Sequence, residues 1–136
     1  DAGINPLPGG GKIPLWFGGH VDETLRRTAK LGDGWIMLAH PPSDRAITEF
    51  EKLRAYTKAE GRDPAQIGLE VWVSVGADGP DEWRREFEFW RDAGVSHITV
   101  NNTYDRGAHH TRIPGRSLAD HIAGIETYRN AVEDLL

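Results

Sequence analysis

The sequence contains no cysteine. Disulfide frameworks, thiolate metal sites and cysteine nucleophiles are therefore excluded. Long hydrophobic runs are missing too. Nothing approaches the roughly 18 consecutive apolar residues of a membrane span, and no basic-then-apolar signal is found at the start, so no membrane partner is expected. A cationic excess is also lacking: 16 Lys and Arg stand against 21 Asp and Glu, giving a formal charge of −5. With its basic residues scattered, the chain does not suit a nucleic-acid groove. Nucleophile elbows, phosphate-binding Walker loops and zinc spacings are absent as well. What the 136 residues do have is 38% hydrophobic content, 16 glycines and five tryptophans, enough for a core. The expectation is one domain over 1–136, with 1–12 as an N-terminal extension or linker.

Short apolar runs alternate with helical periods. Ile13 to Phe17 is a short run ended by Gly18-Gly19, after which Val21, Leu25 and Ala29 recur at helical spacing until Gly32. Gly34 to Ala39 is a second run, followed by a helix that Ser43 or Asp44 can cap and that carries Ile47, Phe50, Leu53 and Thr57 on one stripe. From Ile67 to Val75, apolar and other residues alternate as in a strand. Asp78-Gly79-Pro80 opens a helix bearing Trp83, Phe87 and Trp90, which are assigned to the core. Val95 to Val100 is a fourth strand. A last helix starts near Ser117, with Leu118, Ile122, Ile125 and Val132 expected to face inward. The predicted class is α/β: four βα units with parallel strands and right-handed crossovers.

In parallel α/β folds chemistry gathers where strands end and helices begin. That places any site around Gly18–His20, Leu38–Pro42, Gly76–Asp78 and Asn101–Arg116. Gly18-Gly19-His20 is the best local candidate. Two glycines let backbone N–H groups approach an anion, and the helix start adds partial positive charge; a plain tight turn is the alternative. Asp22 and Glu23 work against an anion there, because they already complement the helix dipole. His20 either touches the anion or faces solvent. Asp33, between two glycines, reads as a turn residue. If Leu69, Val71 and Val73 pack against helices, then Glu70, Trp72 and Ser74 point to the opposite face, where Glu70 needs a hydrogen-bond partner. Thr99 and Asn101 face the same way, and Asn101 is a candidate substrate or cofactor contact. In the long last loop, Arg106, Arg112 and Arg116 could grip a phosphate or an acidic substrate. The adjacent His109 and His110 lack the carboxylates to complete a metal site.

The string Ile13-Pro-Leu-Trp-Phe-Gly-Gly19, then a helix, then Leu31-Gly-Asp-Gly-Trp-Ile36, resembles the luciferase-like flavin and deazaflavin oxidoreductases. Glu60-Gly-Arg-Asp-Pro64, Ala93-Gly-Val95 and Val100-Asn-Asn102 follow in matching order. The resemblance implies the C-terminal half of a (βα)8 TIM barrel, an oxidoreductase or monooxygenase, and FMN or coenzyme F-420 as cofactor. It also implies that Gly18 and Gly19, with His20 beside them, hold the cofactor phosphate, and that His40 and Asn101 line the pocket. In that family most acid/base and substrate residues belong to the first half, so no catalytic residue is assigned here. Expected partners are the cofactor, a small organic substrate, and either a second copy (a homodimer) or the missing barrel half; the expected compartment is cytoplasmic. Two other readings stand beside this one. One is a non-catalytic half-barrel module that self-associates, because a half barrel leaves its outer strands unpaired. The other is an unrelated doubly wound binder.

Overall fold

Alternation decides the layering. In a strand, successive side chains point to opposite faces, and a sheet whose helices all lie on one side buries only every second residue. The computed structural model, which describes residues 9–76, 78–103 and 111–136, has this form. Four strands, β1 (Trp16–Gly18), β2 (Gly34–Ala39), β3 (Gly68–Val73) and β4 (His97–Val100), alternate with helices α1 (Asp22–Leu31), α2 (Asp44–Ala59), α3 (Pro80–Asp92) and α4 (Leu118–Val132). All pairings are parallel and the sheet order is β1-β2-β3-β4. With sequential order and right-handed crossovers, every helix falls on the same face.

That helical face holds the core. Trp35 and Met37 of β2 and Leu69, Val71 and Val73 of β3 are buried against Leu25, Phe50, Leu53 and Trp90. Trp35 meets Phe50 edge-on at 5.9 Å, and Phe50 meets Trp90 at 6.2 Å. Each such side chain contributes about 1.5–3 kcal/mol by leaving water. Trp83 and Phe87 are buried as expected, Trp83 beside Tyr128 of α4. The Tyr128 hydroxyl has no hydrogen-bond partner among the described residues, and burial raises its pKa, so it stays a neutral phenol.

The opposite face is open and carries the residues assigned to it. The Glu70 carboxylate accepts from the Trp72 indole at 3.1 Å and from the Thr99 hydroxyl at 2.8 Å, so the partner that burial would demand is present. Ser74, just past β3, is buried and donates to the Thr111 carbonyl. At the strand beginnings the Trp16 indole lies across two strands: a Cβ at Gly34 would stand 2.3 Å from its ring and one at Gly68 2.4 Å. Its far side meets His97 at 5.0 Å.

Connections at this base are held by short-range chemistry. Asp33 is the turn residue expected: its carboxylate accepts from the Leu15 N–H at 2.9 Å and pairs with Lys12, tying the approach of β1 to the start of β2. Arg62 donates to the carbonyls of Thr28, Ala29 and Gly32, closing the C-terminus of α1 with a cation where the dipole favours one. Asp63 then accepts from the Ala65 N–H and caps a 3-10 turn at Pro64–Gln66.

One expectation is corrected. Val132 is buried as expected, but Leu118, Ile122 and Ile125 do not face inward; they are exposed, and Tyr128 is the other residue α4 buries. The stripe was correctly periodic, but nothing among the described residues covers it. No helix among the described residues is long and apolar enough to cross a membrane.

Candidate functional site

Gly18 ends β1, and the next two residues turn the chain into α1. Gly19 adopts φ +123°, a conformation glycine enters without the steric cost a Cβ brings. Its carbonyl accepts from the indole N–H of Trp35 at 2.8 Å. Trp35 is wholly buried, so the loop is fastened to the hydrophobic core by the polar atom of a core side chain. A loop held this way presents its backbone at low entropic cost.

The start of α1 differs from those of α2 and α4, while the N-cap of α3, Gly79, likewise has no capping side chain. Ser43 caps α2 by accepting from the Ala46 N–H. At the start of α3 the Glu82 carboxyl is held below its ordinary pKa, chiefly by nearby backbone N–H groups and with Arg85 adding to it. Ser117 and Asp120 form a reciprocal capping box on α4. The N-cap of α1 is Val21, which offers no acceptor. Asp22, expected to complement the dipole, is drawn sideways instead: it accepts from the Tyr56 hydroxyl at 2.5 Å and lies 3.3 Å from Lys52 and 3.4 Å from Arg26. The Tyr56 bond is the main reason its pKa is lowered, with Lys52 and Arg26 adding to it. Its negative charge is thus engaged by Tyr56 and Lys52 of α2 and by Arg26, which leaves Glu23 as the acidic residue still complementing the dipole in the first turn of α1 beside Gly18-Gly19.

His20 and His40 meet at this point. Their ring centres are 6.0 Å apart, and His20 also lies edge-on to Trp35 at 6.0 Å. β2 brings His40 there through an irregular end. Its register with β3 shifts between Ile36 and Ala39, and Leu38 adopts φ +64°, which costs a non-glycine residue about 1–2 kcal/mol. His40 Nδ1–H then donates to the Pro41 carbonyl at 3.0 Å, which also accepts from Ser43 Oγ.

Gly18, Gly19, His20 and His40 therefore come together at the C-terminal ends of β1 and β2. Asn101 shares that edge but lies past β4, with β3 between. Its backbone N–H donates to Val73, and its side-chain oxygen accepts from the Thr103 N–H and hydroxyl at 3.1 Å, so it shapes the turn leaving β4. Asn102, named only within the resemblance, is buried; its Oδ1 accepts from Val75 N–H at 3.4 Å, and a Cβ on Gly124 of α4 would stand 2.9 Å from its amide nitrogen. Only Gly124 lets α4 approach that closely, and a pairing so distant in sequence leaves no local signal. Arg106, His109 and His110 lie outside the described residues. Arg112 is half-buried and Arg116 exposed. No group of three His, Asp or Glu among the described residues is placed to hold a metal.

A family model described as luciferase-like monooxygenase matches residues 1–133. Among solved structures, an F-420-dependent secondary alcohol dehydrogenase in complex with an F-420–acetone adduct superposes with a TM-score of 0.67. It shares 12% identity over 92% of this chain and 49% of that one. The coenzyme F-420-dependent tetrahydromethanopterin reductase from Methanopyrus kandleri superposes with a TM-score of 0.60, at 13% identity over 87% of this chain and 51% of that one. This chain spans about half the length of both structures. At such identities the likeness concerns the fold, and it bears out the half-barrel expectation. No curated protein matches the sequence.

Proposed function

We propose, from the premise that this chain belongs to the luciferase-like monooxygenase family, that it is the C-terminal half of a flavin-type oxidoreductase barrel and supplies the phosphate end of the cofactor site. FMN and coenzyme F-420 share one feature relevant to these residues: a phosphate on the ribityl chain. Gly18 and Gly19 allow backbone approach to such a group. The uncapped start of α1 favours its charge, and His20, exposed beside the loop, could add a ring N–H donor, whereas the His40 Nδ1–H is already given to the Pro41 carbonyl. Redox chemistry in this reading belongs to the cofactor ring, while the chain binds and orients it. His40 and Asn101 would border the small organic substrate. A cytoplasmic setting goes with this reading.

The observation that carries the proposal is a helix start whose N-cap, Val21, offers no side-chain acceptor, sited behind the paired glycines and beside two histidines. The test is a titration of FMN and F-420 into the chain, alone and with a polypeptide supplying the first four βα units. Gly18→Asp is the informative variant. A Cβ at Gly18 would meet only the Ile36 carbonyl, at an ordinary 3.8 Å, so the fold should persist while the added carboxylate repels phosphate. Binding at least about tenfold weaker, with far-ultraviolet circular dichroism unchanged, is expected; this corresponds to ~1.4 kcal/mol. Affinity unaltered by Gly18→Asp would remove the phosphate from this loop.

A further inference from the structure

A tryptophan that is buried takes its indole N–H with it, and that donor needs an acceptor. Trp72 and Trp90 find one on their own element: Trp72 donates to Glu70 of β3 at 3.1 Å and Trp90 to Glu86 of α3 at 3.2 Å. Trp35 does not. It is wholly buried on β2, yet its indole N–H reaches off its own strand to the carbonyl of Gly19, at 2.8 Å. The ring is kept from swinging to another acceptor, because Phe50 meets it edge-on at 5.9 Å and Trp90 backs Phe50 at 6.2 Å. Three aromatic rings of the core therefore set the position of the donor, and the donor sets the position of the loop.

That bond orients more than the carbonyl. In a planar trans peptide the C=O and the N–H point in opposite directions. Fastening the Gly19 oxygen to a core side chain thus turns the His20 N–H outward, away from the indole that holds the oxygen. Gly19 at φ +123° lets the chain make this turn; a Cβ there would be strained and would stand 3.4 Å from Thr24 Oγ1. Further along, the N–H groups of Thr24 and Leu25 are taken by the Val21 carbonyl, so they offer nothing to a ligand. The His20 ring, edge-on to Trp35 at 6.0 Å, adds a second contact between the loop and the same indole.

We propose that Trp35 is a positioning residue of the cofactor site: without touching the ligand, its indole N–H holds the Gly19–His20 peptide so that the His20 N–H faces a bound phosphate. The inference rests on reading Gly18-Gly19 as the phosphate end of the site, and it assigns to that site a residue buried behind it. A donor already aimed needs no reordering when the anion arrives. Losing the hold frees the peptide to rotate among orientations of which one serves the phosphate, and binding then has to order it. Removing the indole N–H should therefore reduce affinity for the phosphate and leave affinity for the rest of the cofactor alone.

The experiment titrates FMN and riboflavin, which is FMN without its phosphate, under the conditions of the Gly18→Asp test, into the wild type, Trp35→Phe and Trp90→Phe. Trp90→Phe is the matched control: it trims another wholly buried indole in the same row of rings, at the end away from the loop. Trp35→Phe is expected to weaken FMN at least about fivefold, the worth of one hydrogen bond, and riboflavin not at all. Trp90→Phe should change neither, although both variants lower the thermal midpoint. Equal losses of FMN and riboflavin in Trp35→Phe, or equal losses in the two variants, mean a general loosening of the core and overturn the proposal. So does FMN binding that Gly18→Asp weakens and Trp35→Phe does not. If Trp35→Phe fails to fold, the wild type decides: saturation with FMN should shift the NMR signal of the Trp35 indole N–H and not that of Trp90. A Trp35 signal that stays in place overturns the proposal. A wild type that does not prefer FMN to riboflavin removes the phosphate reading itself, and the inference falls with it.

Discussion

Trp16 illustrates how one side chain sets the identity of residues far from it. Its indole lies where side chains at positions 34 and 68 would otherwise stand. Gly34→Ala is expected to lever the ring off the sheet, break its contact with His97, and lower stability by about 1–3 kcal/mol, as overpacking does. Urea unfolding measures this. A double variant with Trp16→Ala should lose less than the two single losses added, because the clash disappears with the ring; simple additivity would mean Gly34 is needed for another reason. The same residues show what a sequence discloses. Asp33 is legible as a turn residue because its role is local, and the cap of α2 at Ser43 or Asp44 is legible for the same reason, whereas the capping box of Ser117 and Asp120 emerges only from the structure. Gly34 read as part of that turn, whereas its requirement comes from a ring on the neighbouring strand. The Gly-Arg-Asp-Pro string stood out only as a resemblance. Its physics appears once Arg62 is seen closing α1 and Asp63 capping the next turn.

Between elements, α1 and α2 are joined by a small charged cluster whose behaviour with pH can be worked out. The Tyr56 hydroxyl holds the Asp22 carboxyl below its ordinary value of 3.8, and the same bond raises Tyr56 above 10.0. For Asp22 the folded pKa is depressed, so its contribution is present above about pH 4 and is lost as pH falls through the folded value. For Tyr56 the folded pKa is raised, so its contribution is complete below about pH 10 and is lost as pH rises through the folded value. Tyr56→Phe should therefore lower the thermal midpoint near neutrality and flatten its decline at both extremes. A residual acid slope will remain, because Asp33, Asp120 and Asp134 are also lowered, each chiefly by a side-chain hydrogen bond. Unchanged steepness at both ends would show that the cluster contributes nothing. At this scale the sequence showed which residues share a helix face but not what meets that face. Trp83, Phe87 and Trp90 are buried as assigned, and the α2 stripe buries Phe50, Leu53 and Thr57, whereas Leu118, Ile122 and Ile125 form an equally good stripe that nothing described covers. Periodicity reports an apolar face; coverage depends on the neighbour.

For the molecule as a whole, the order of four βα units was readable because each strand and helix has its own period and glycine or proline punctuation. The elements come out shorter than the apolar runs, β1 starting at Trp16 rather than Ile13 and β4 at His97 rather than Val95, since residues outside the ladder can still pack. The sequence could place His20 and His40 on one edge, but not 6.0 Å apart; that depends on the register shift and left-handed Leu38 at the end of β2. Closure is likewise a property of the whole. β1 pairs only with β2 and β4 only with β3, and such edges carry donors and acceptors open to another strand. In the half-barrel reading a polypeptide supplying the first four βα units binds the folded chain at both edges, so mass action should raise the thermal midpoint, by about 2.7 kcal/mol of stability at a hundredfold excess over the dissociation constant. Ile122→Lys/Ile125→Lys should weaken that gain, because it places charge on the exposed α4 stripe beside the β4 edge. A midpoint unmoved by the added polypeptide would mean that the chain's edges are not where the rest of a barrel docks.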